Sequence, residues 1–481
     1  MKLSRVLSMI LVISMIMTTL ISCNLGGKPT ETVKPGEETD EIITSVKRQN
    51  YDGTSFTFLT IADQERFTKE IFADVEDTQE IIYASVYRRN EYVNKYLNIN
   101  IEVNSVSNTT DTANQLINSS DTSCDVYNLY KHGCIELIAN GFTRDWKELS
   151  AIDFLSSWWN ATAFDNLTVN GKLLLMSGSI LITEIDDTIA MVYNKKVYDN
   201  YKSTIGVDIF GEALAGTWTL DKFISSASSV SDDLNMDQKI LIGDDLIGYA
   251  ADPNSMAMNW PFACDFVHSS IVDGVYQMNV TAAQVGKITE MLEKLSGLFN
   301  SDFADETKPL DEGLNYFING KVFIYAVILR NLEQMRRMED DYGVIPYPKF
   351  DENQKEYITH VGGASPIMII PMQNCEDDDR LGTILEAMCE ASYRITRPAY
   401  YEQALKEKGT RDEESKKVLD LILDSRTYDL AYISANGLAW MVGSMVATGN
   451  SSFSREWRKK GERVQRSVQD TVDRIIENNA Y

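Results

Sequence analysis

Histidine is scarce: His132, His268 and His360 are the only three in 481 residues, and none forms a motif with cysteine or aspartate. No GxSxG, HExxH, P-loop or GxGxxG segment occurs, so no recognised nucleophile, zinc or phosphate motif is present. Cysteine is sparse too, at Cys23, Cys124, Cys134, Cys264, Cys375 and Cys389. No pair has CxxC spacing, which excludes zinc ribbons and thioredoxin-type exchange. Without Cys23 an odd number remains. Cys124 and Cys134 are either a disulfide or buried thiols, and Cys264 and Cys389 lie in apolar contexts that suit buried thiols. Positive charge is in deficit, with 45 Lys plus Arg against 71 Asp plus Glu and a net charge of −26. Such a surface repels phosphate backbones and anionic lipid heads, so nucleic-acid binding is not expected.

What is present begins at the N-terminus. Lys2 and Arg5 precede an apolar run, Val6 to Leu20, broken only by Ser8, Ser14, Thr18 and Thr19. The run is short of the ~20 residues a membrane span needs. Basic, apolar, then small residues is the layout of a secretory signal, over residues 1–22. It closes on Leu20-Ile21-Ser22-Cys23, which resembles a bacterial lipobox, with the Cys23 sulfur as lipid acceptor. The expected location is the extracytoplasmic face of the cell membrane, with membrane contact through the lipid alone.

Residues 23–50 are rich in Gly, Pro, Thr and Glu and read as a lipidated Cys followed by a flexible tether. The globule is expected from Tyr51. Ser55 to Ile61 alternates with strand period, Glu80 to Tyr96 carries apolar residues at helical spacing, and Ile99 to Val103 is again a strand. Strand, helix, strand is the unit of an α/β lobe. A second such pattern runs through Ile189-Ala-Met-Val-Tyr193, a helix capped by Thr219, an amphipathic helix over 280–299, and Val322 to Val327. The chain is long enough for two lobes.

Several segments, in order, resemble the family 1 extracellular solute-binding proteins, the group of the maltose-binding protein. They are Asp125-Val-Tyr-Asn128, LIANGFTRDWKEL (137–149), Asn170-Gly-Lys-Leu173, Met191-Val-Tyr-Asn-Lys-Lys196, Thr217-Trp-Thr-Leu-Asp221, Phe317-Ile-Asn-Gly-Lys-Val322 and Tyr342-Gly-Val-Ile-Pro-Tyr-Pro348. The resemblance implies a two-lobe, periplasmic-binding-protein-like α/β fold with a central cleft and three crossings, near 178–187, 325–330 and 365–371. The implied lobes are 51–185 and 325–368 for the first, and 186–324 and 369–481 for the second. It further implies a monomeric substrate-binding lipoprotein of an ABC importer, serving permease subunits and taking a small solute, an oligosaccharide first and a peptide or polyol as alternatives. A secreted glycoside hydrolase and a non-transport surface adhesin compete with that reading. No catalytic residue and no required cofactor is expected.

Sugars present apolar ring faces and rims of hydroxyls, which aromatic faces and planar polar groups match. The resemblance places a stacking aromatic at Trp440, and contacts at Trp260 in the second-lobe segment. Arg330 stands where a stacking aromatic is common in the family, and guanidinium can instead make paired bonds to hydroxyls or a carboxylate. Tyr130 and His132 follow the Asp125 strand, and Asp186 and Asp187 sit at the first crossing. Trp158 and Trp159 are adjacent, so at most one faces any one surface. Asp233, Asn235, Asp237 and Asp244 take positions 1, 3, 5 and 12 of a calcium-loop-like stretch. Gln238 replaces the usual Gly, so a solvated acidic loop competes with a structural calcium site.

Overall fold

Phe56, Phe58, Leu59 and Ile61 are all buried, and they make Thr54–Ile61 (β1) the middle of a sheet. The computed structural model describes residues 42–252, 256–266, 269–278, 280–302, 304–305, 310–374, 377–405, 413–434 and 437–479. Short helix α1 (Glu65–Lys69) follows β1, then α2 (Ile81–Leu97). Helix α2 stops at Asn98, whose φ of 50° is the left-handed conformation Asn tolerates at a helix end. The chain turns there into β2 (Ile99–Val106), parallel to β1. On the other side of β1 lies β3 (Val126–Tyr130), also parallel, followed by α3 (Lys131–Ala139). This is the first lobe's βαβ framework.

After the crossing helix α4 (Ile182–Asp186) the chain enters a second sheet. Its strands are β4 (Ile189–Asn194), β5 (Leu246–Ala250), β6 (Val322–Ile328) and β7 (Tyr342–Ile345), with Ser231–Asp232 and Ala304–Asp305 beside β5. Strand β6 runs parallel to β5 and antiparallel to β4, and β7 is antiparallel to β4. Every residue of β6 is buried, the composition of a strand covered on both faces. Between β5 and β6, α5 (Asn259–Ala263) and α6 (Ala282–Phe299) pack on this sheet's core.

That placement corrects the expected return to the first lobe at 325. A seven-residue apolar strand needs neighbours on both edges, and β6 finds them in β4 and β5. The chain rejoins the first sheet only at β8 (Pro366–Ile369), antiparallel to β3, giving the order β8-β3-β1-β2. The expected assignment of 369–481 to the second lobe is corrected as well. Helix α7 (Asp378–Ala391) buries Leu381, Ile384, Leu385 and Met388 in the first lobe's core. Helix α8 (Arg397–Leu405) follows it. Helices α9 (Glu413–Asp424) and α10 (Gly437–Ala447) pack on the second lobe. The last helix, α11 (Phe453–Asn478), starts with Phe453 in the second lobe's core and ends with Val468, Val472 and Ile475 in the first's.

The tether is shorter than its composition suggests. Ile43 is fully buried in the first core, and the Thr44 and Ser45 N–H groups donate to Glu390 Oε2 at 2.8 and 2.9 Å. The Tyr96 hydroxyl donates to the Val46 carbonyl at 3.0 Å. A buried carboxylate with these donors holds the entering chain against the lobe. Cys124, Cys134, Cys264 and Cys389 are buried free thiols, so the Cys124–Cys134 bridge is not formed. Among the described residues, no helix is long and apolar enough to cross a membrane. Residues 1–41, with the expected signal and Cys23, lie outside the described residues.

Ile43→Ala is expected to lower unfolding stability by about 2–5 kcal/mol, the range for truncating a buried Ile. Denaturant titration measures it, and no change would mean that residues 42–46 are loose tether.

Candidate functional site

The C-terminal ends of the first-lobe strands carry the polar loops that meet the crossing, the place where open α/β sheets bind ligands. Arg66, at the start of α1, forms a bidentate pair with Asp187: Nη1 to Oδ1 is 3.0 Å and Nη2 to Oδ2 is 3.1 Å. Asp187 directly follows α4 and its side chain is only 4% exposed. From the second lobe, Arg330 follows β6 and brings Nη1 to 3.7 Å from the same Asp187 Oδ1. Its backbone N–H donates to the Asp186 carbonyl at 3.1 Å. First lobe, crossing and second lobe therefore converge on one carboxylate.

A second carboxylate ties the crossing to the first lobe. Glu70 Oε2 accepts from the Thr183 N–H at 2.9 Å and its hydroxyl at 2.7 Å, and Oε1 accepts from Asn128 at 3.1 Å. Burial pushes the Glu70 carboxyl up to about 8, against the pull of those donors and of Arg66. Burial, then the Asp187 charge, lifts Asp186 to about 7, opposed by Arg66, Arg330 and the Tyr400 hydroxyl. Lys131 begins α3, buried, and donates to the Gly362 carbonyl at 3.3 Å and to Ser365 on the returning segment. Burial lowers it to about 8, while Glu184 and Asp187 hold it up.

Beside this junction lies a cavity of about 470 Å³. Its walls come from the first lobe (Glu65, Arg66, Glu70, Glu80, Tyr83), the crossing (Thr183, Asp186) and the second lobe (Leu329, Arg330, Glu333), with Tyr400. The volume is within the usual range for small-molecule sites.

Of the residues expected from the sequence, Asp186 and Arg330 line this cavity, and Asp187 is the partner that fixes Arg66 beside it. Tyr130, at the end of β3, sets its ring edge-on to Phe67 at 5.6 Å and is not in the cavity wall. His132 is exposed, with Nδ1 2.9 Å from the Ile433 carbonyl, also outside the wall. Trp440 is 51% exposed on α10, and Asn436 before it lies outside the described residues. Trp260 is corrected: it is fully buried among Phe223, Tyr249 and Tyr347 as a core residue of the second lobe. Trp158 and Trp159 both donate to Glu386, at 3.0 and 2.7 Å.

The acidic loop folds on its own backbone. Asp233 accepts from the N–H groups of Asp237 and Gln238, Asn235 from Asp237, and Asp237 from Lys239. The Asp244 carbonyl accepts from Lys321, while the buried side chain is that of Asp245, bonded to the Leu234 and Leu241 N–H groups. Gln238 takes φ +68°, the conformation a calcium loop usually gives to Gly. Among the described residues, no three His, Cys, Asp or Glu side chains converge as a metal site.

Arg66, Glu70, Tyr83 and Lys131 were not anticipated. Glu70 and Lys131 carried a signal, each an ionisable residue beside a run that folds into the interior. Arg66 stands among the charges of Asp63-Gln-Glu-Arg66, where sequence alone does not single out the one that pairs with Asp187.

Two α/β lobes, linked by several crossings and sharing a cavity at the junction, make the maltose-binding-protein-like fold. Among solved structures, the chain is similar to a cyclo/maltodextrin-binding protein complexed with maltotetraose, at 12% identity and TM-score 0.53, over 89% of this chain and 97% of that one. It is similar also to UspC of M. tuberculosis, at 16% identity and TM-score 0.54, over 87% of this chain and all of that one. No protein-family model and no curated protein matches the chain.

Glu70 and Asp186 bind protons more tightly folded than unfolded, so they favour the fold below the ordinary carboxyl range, near 4, and that contribution is lost as pH rises. Unfolding free energy is therefore expected to fall between about pH 4 and about pH 8, with a shallower slope in Glu70→Gln. Lys131 acts above about 8, outside most of that window. Urea titrations across pH check this, and an unchanged slope in the variant contradicts it.

Proposed function

We propose that this protein is the substrate-binding component of an ABC importer, a lipoprotein held at the extracytoplasmic membrane face through Cys23. It captures a solute, an oligosaccharide, between its two lobes and presents it to permease subunits as a monomer. The observation that carries the reading is the cavity of about 470 Å³ whose wall is built by both lobes and by the crossing between them. A ligand there touches Arg330 of one lobe and Glu80 of the other at once. Such contacts are made fully only when the lobes are together, and this differential binding is what drives closure. The similar cyclo/maltodextrin-binding protein holds maltotetraose, which supports a glycan as ligand. Trp440, half-exposed on α10, stands outside the wall of this cavity, and its proposed role is as a stacking platform for the part of an oligosaccharide that extends beyond it. The reading is of a binder and not a hydrolase.

Titration of the purified full-length protein with malto-oligosaccharides, other glycans and short peptides, followed by tryptophan fluorescence, is expected to give a saturable change with no product formed. Turnover of a glycan would contradict binding alone. Trp440→Ala is expected to weaken affinity by about 1 kcal/mol, the scale of an aromatic stacking contact; unchanged affinity removes it from the site. In cells, Cys23→Ser is expected to move the protein from the membrane fraction to the soluble fraction.

A further inference from the structure

The first half of α11 reverses the electrostatics of the rest of the chain, which carries −26 overall. Between Phe453 and Arg466 stand Arg455, Arg458, Lys459, Lys460, Arg463 and Arg466, all exposed, against two acids, Glu456 and Glu462. Glu456 lies 3.8 Å from Arg455, 3.4 Å from Lys459 and 3.3 Å from Lys460, and Glu462 pairs with Arg466. Among the described residues Arg458 and Arg463 pair with no acid, and none of the six cations pairs with an acid outside α11. Nor does their placement serve the helix. A helix favours acids near its start and cations near its end. This one is basic through its first half, and its second half carries Asp470, Asp473 and Glu477 with Arg474 as the one cation after Arg466. A local preference broken without compensation inside the fold points to a contact outside it.

The surface beside these cations is neutral. From Leu430 to Ser454 the chain holds no charged residue, and that stretch includes α10, which packs along α11. Between the two helices runs an open groove of about 500 Å³. Met441, Met445 and Val464 give it apolar walls, and Lys460 and Arg463 line it from α11. Helix α11 also meets α6, where the Thr289 and Ser454 hydroxyls are 2.9 Å apart and Glu290 is held by Lys294 at 3.4 Å. Clustered cations beside an uncharged, partly apolar groove match a phospholipid headgroup. The phosphate takes charge-assisted bonds, and the groove takes the less polar part next to it.

We infer that the first half of α11 docks on the anionic phospholipid surface of the membrane, with lipid phosphate at Lys460 and Arg463. This rests on the reading of the protein as anchored to that membrane. Two effects reconcile the contact with the acidic net charge. Exposed charges farther off than a Debye length, about 8–10 Å, are largely screened, so the patch in contact decides. The acidic remainder is repelled, which leaves one orientation at the surface. Each cation contributes modestly, so the contact orients a tethered protein and does not by itself hold a free one.

Vesicle sedimentation tests it with the full chain carrying Cys23→Ser, so that no lipid tail contributes. At low salt this protein is expected to bind vesicles of phosphatidylglycerol and phosphatidylethanolamine at least about 10-fold more tightly than vesicles of phosphatidylcholine. The difference is expected to vanish near 1 M salt, where the screening length is about 3 Å. Adding Lys460→Gln and Arg463→Gln is expected to weaken binding about 10-fold. Adding instead Lys416→Gln and Lys417→Gln, which removes two exposed cations of α9, is expected to leave it unchanged. Far-UV spectra of the three proteins are expected to coincide. Equal binding to both kinds of vesicle, or equal loss in the α9 and α11 variants, overturns the inference and leaves the anchored reading standing. Displacement from the vesicles by a polyglutamate peptide at equal charge also overturns it, and gives the face to an acidic protein. If the protein with Cys23 intact is found in the soluble fraction of cells, the anchored reading falls and the inference with it.

Discussion

The Asp187 carboxylate is the constraint on which the junction depends. It accepts two bonds from Arg66 of the first lobe, lies near Arg330 of the second, and sits on the chain between them. An almost fully buried carboxylate needs such company, because an isolated one would sooner take a proton than keep its charge. Its presence fixes where the Arg66 guanidinium lies, and so where the cavity's cationic corner is. Glu70 does for the α4 backbone what Asp187 does for the arginines. Lys131 links the returning segment at Gly362 and Ser365 to the same junction. Beside the cavity the lobes meet through these ionisable groups, and a buried apolar cluster that includes Ala73 and Val86 of the first lobe with Leu329 and Leu332 of the second lies alongside.

This mode of assembly explains the pattern of perturbed carboxyls. Glu70 and Asp186 are drawn up because the fold removes water from them faster than it supplies cations. Structural ion-pair networks also shift such groups, so the shifts alone do not define a binding site. The cavity beside them, walled by both lobes, is the further fact that makes the junction a candidate for ligand capture.

Much of the fold was legible because it is written in periodicity. Ser55 to Ile61 alternates and is a strand; Val322 to Val327 is apolar throughout and is the sheet's covered centre. The same residues show where reading by resemblance failed. A crossing at 325 would have cut β6 in the middle, and the apolar run itself argued against that. Ile42 and Ile43 were the one apolar pair in a polar stretch, and they dock. Of the residues expected from the sequence, Asp186, Asp187 and Arg330 lie at chain crossings, and the fold brings them together at the junction. Trp260 failed because an aromatic's sequence position does not say whether it faces a cleft or a core. Glu70 and Arg66 escaped notice because their partners, Thr183 and Asp187, lie more than a hundred residues away.

The most direct test of two lobes meeting on a solute is a crystal structure of the protein saturated with its tightest glycan, beside one without it. The account predicts ligand density between Asp186 and Arg330, and lobes closer together in the saturated form. Ligand bound elsewhere, with the lobes unmoved and the cavity empty, would contradict it.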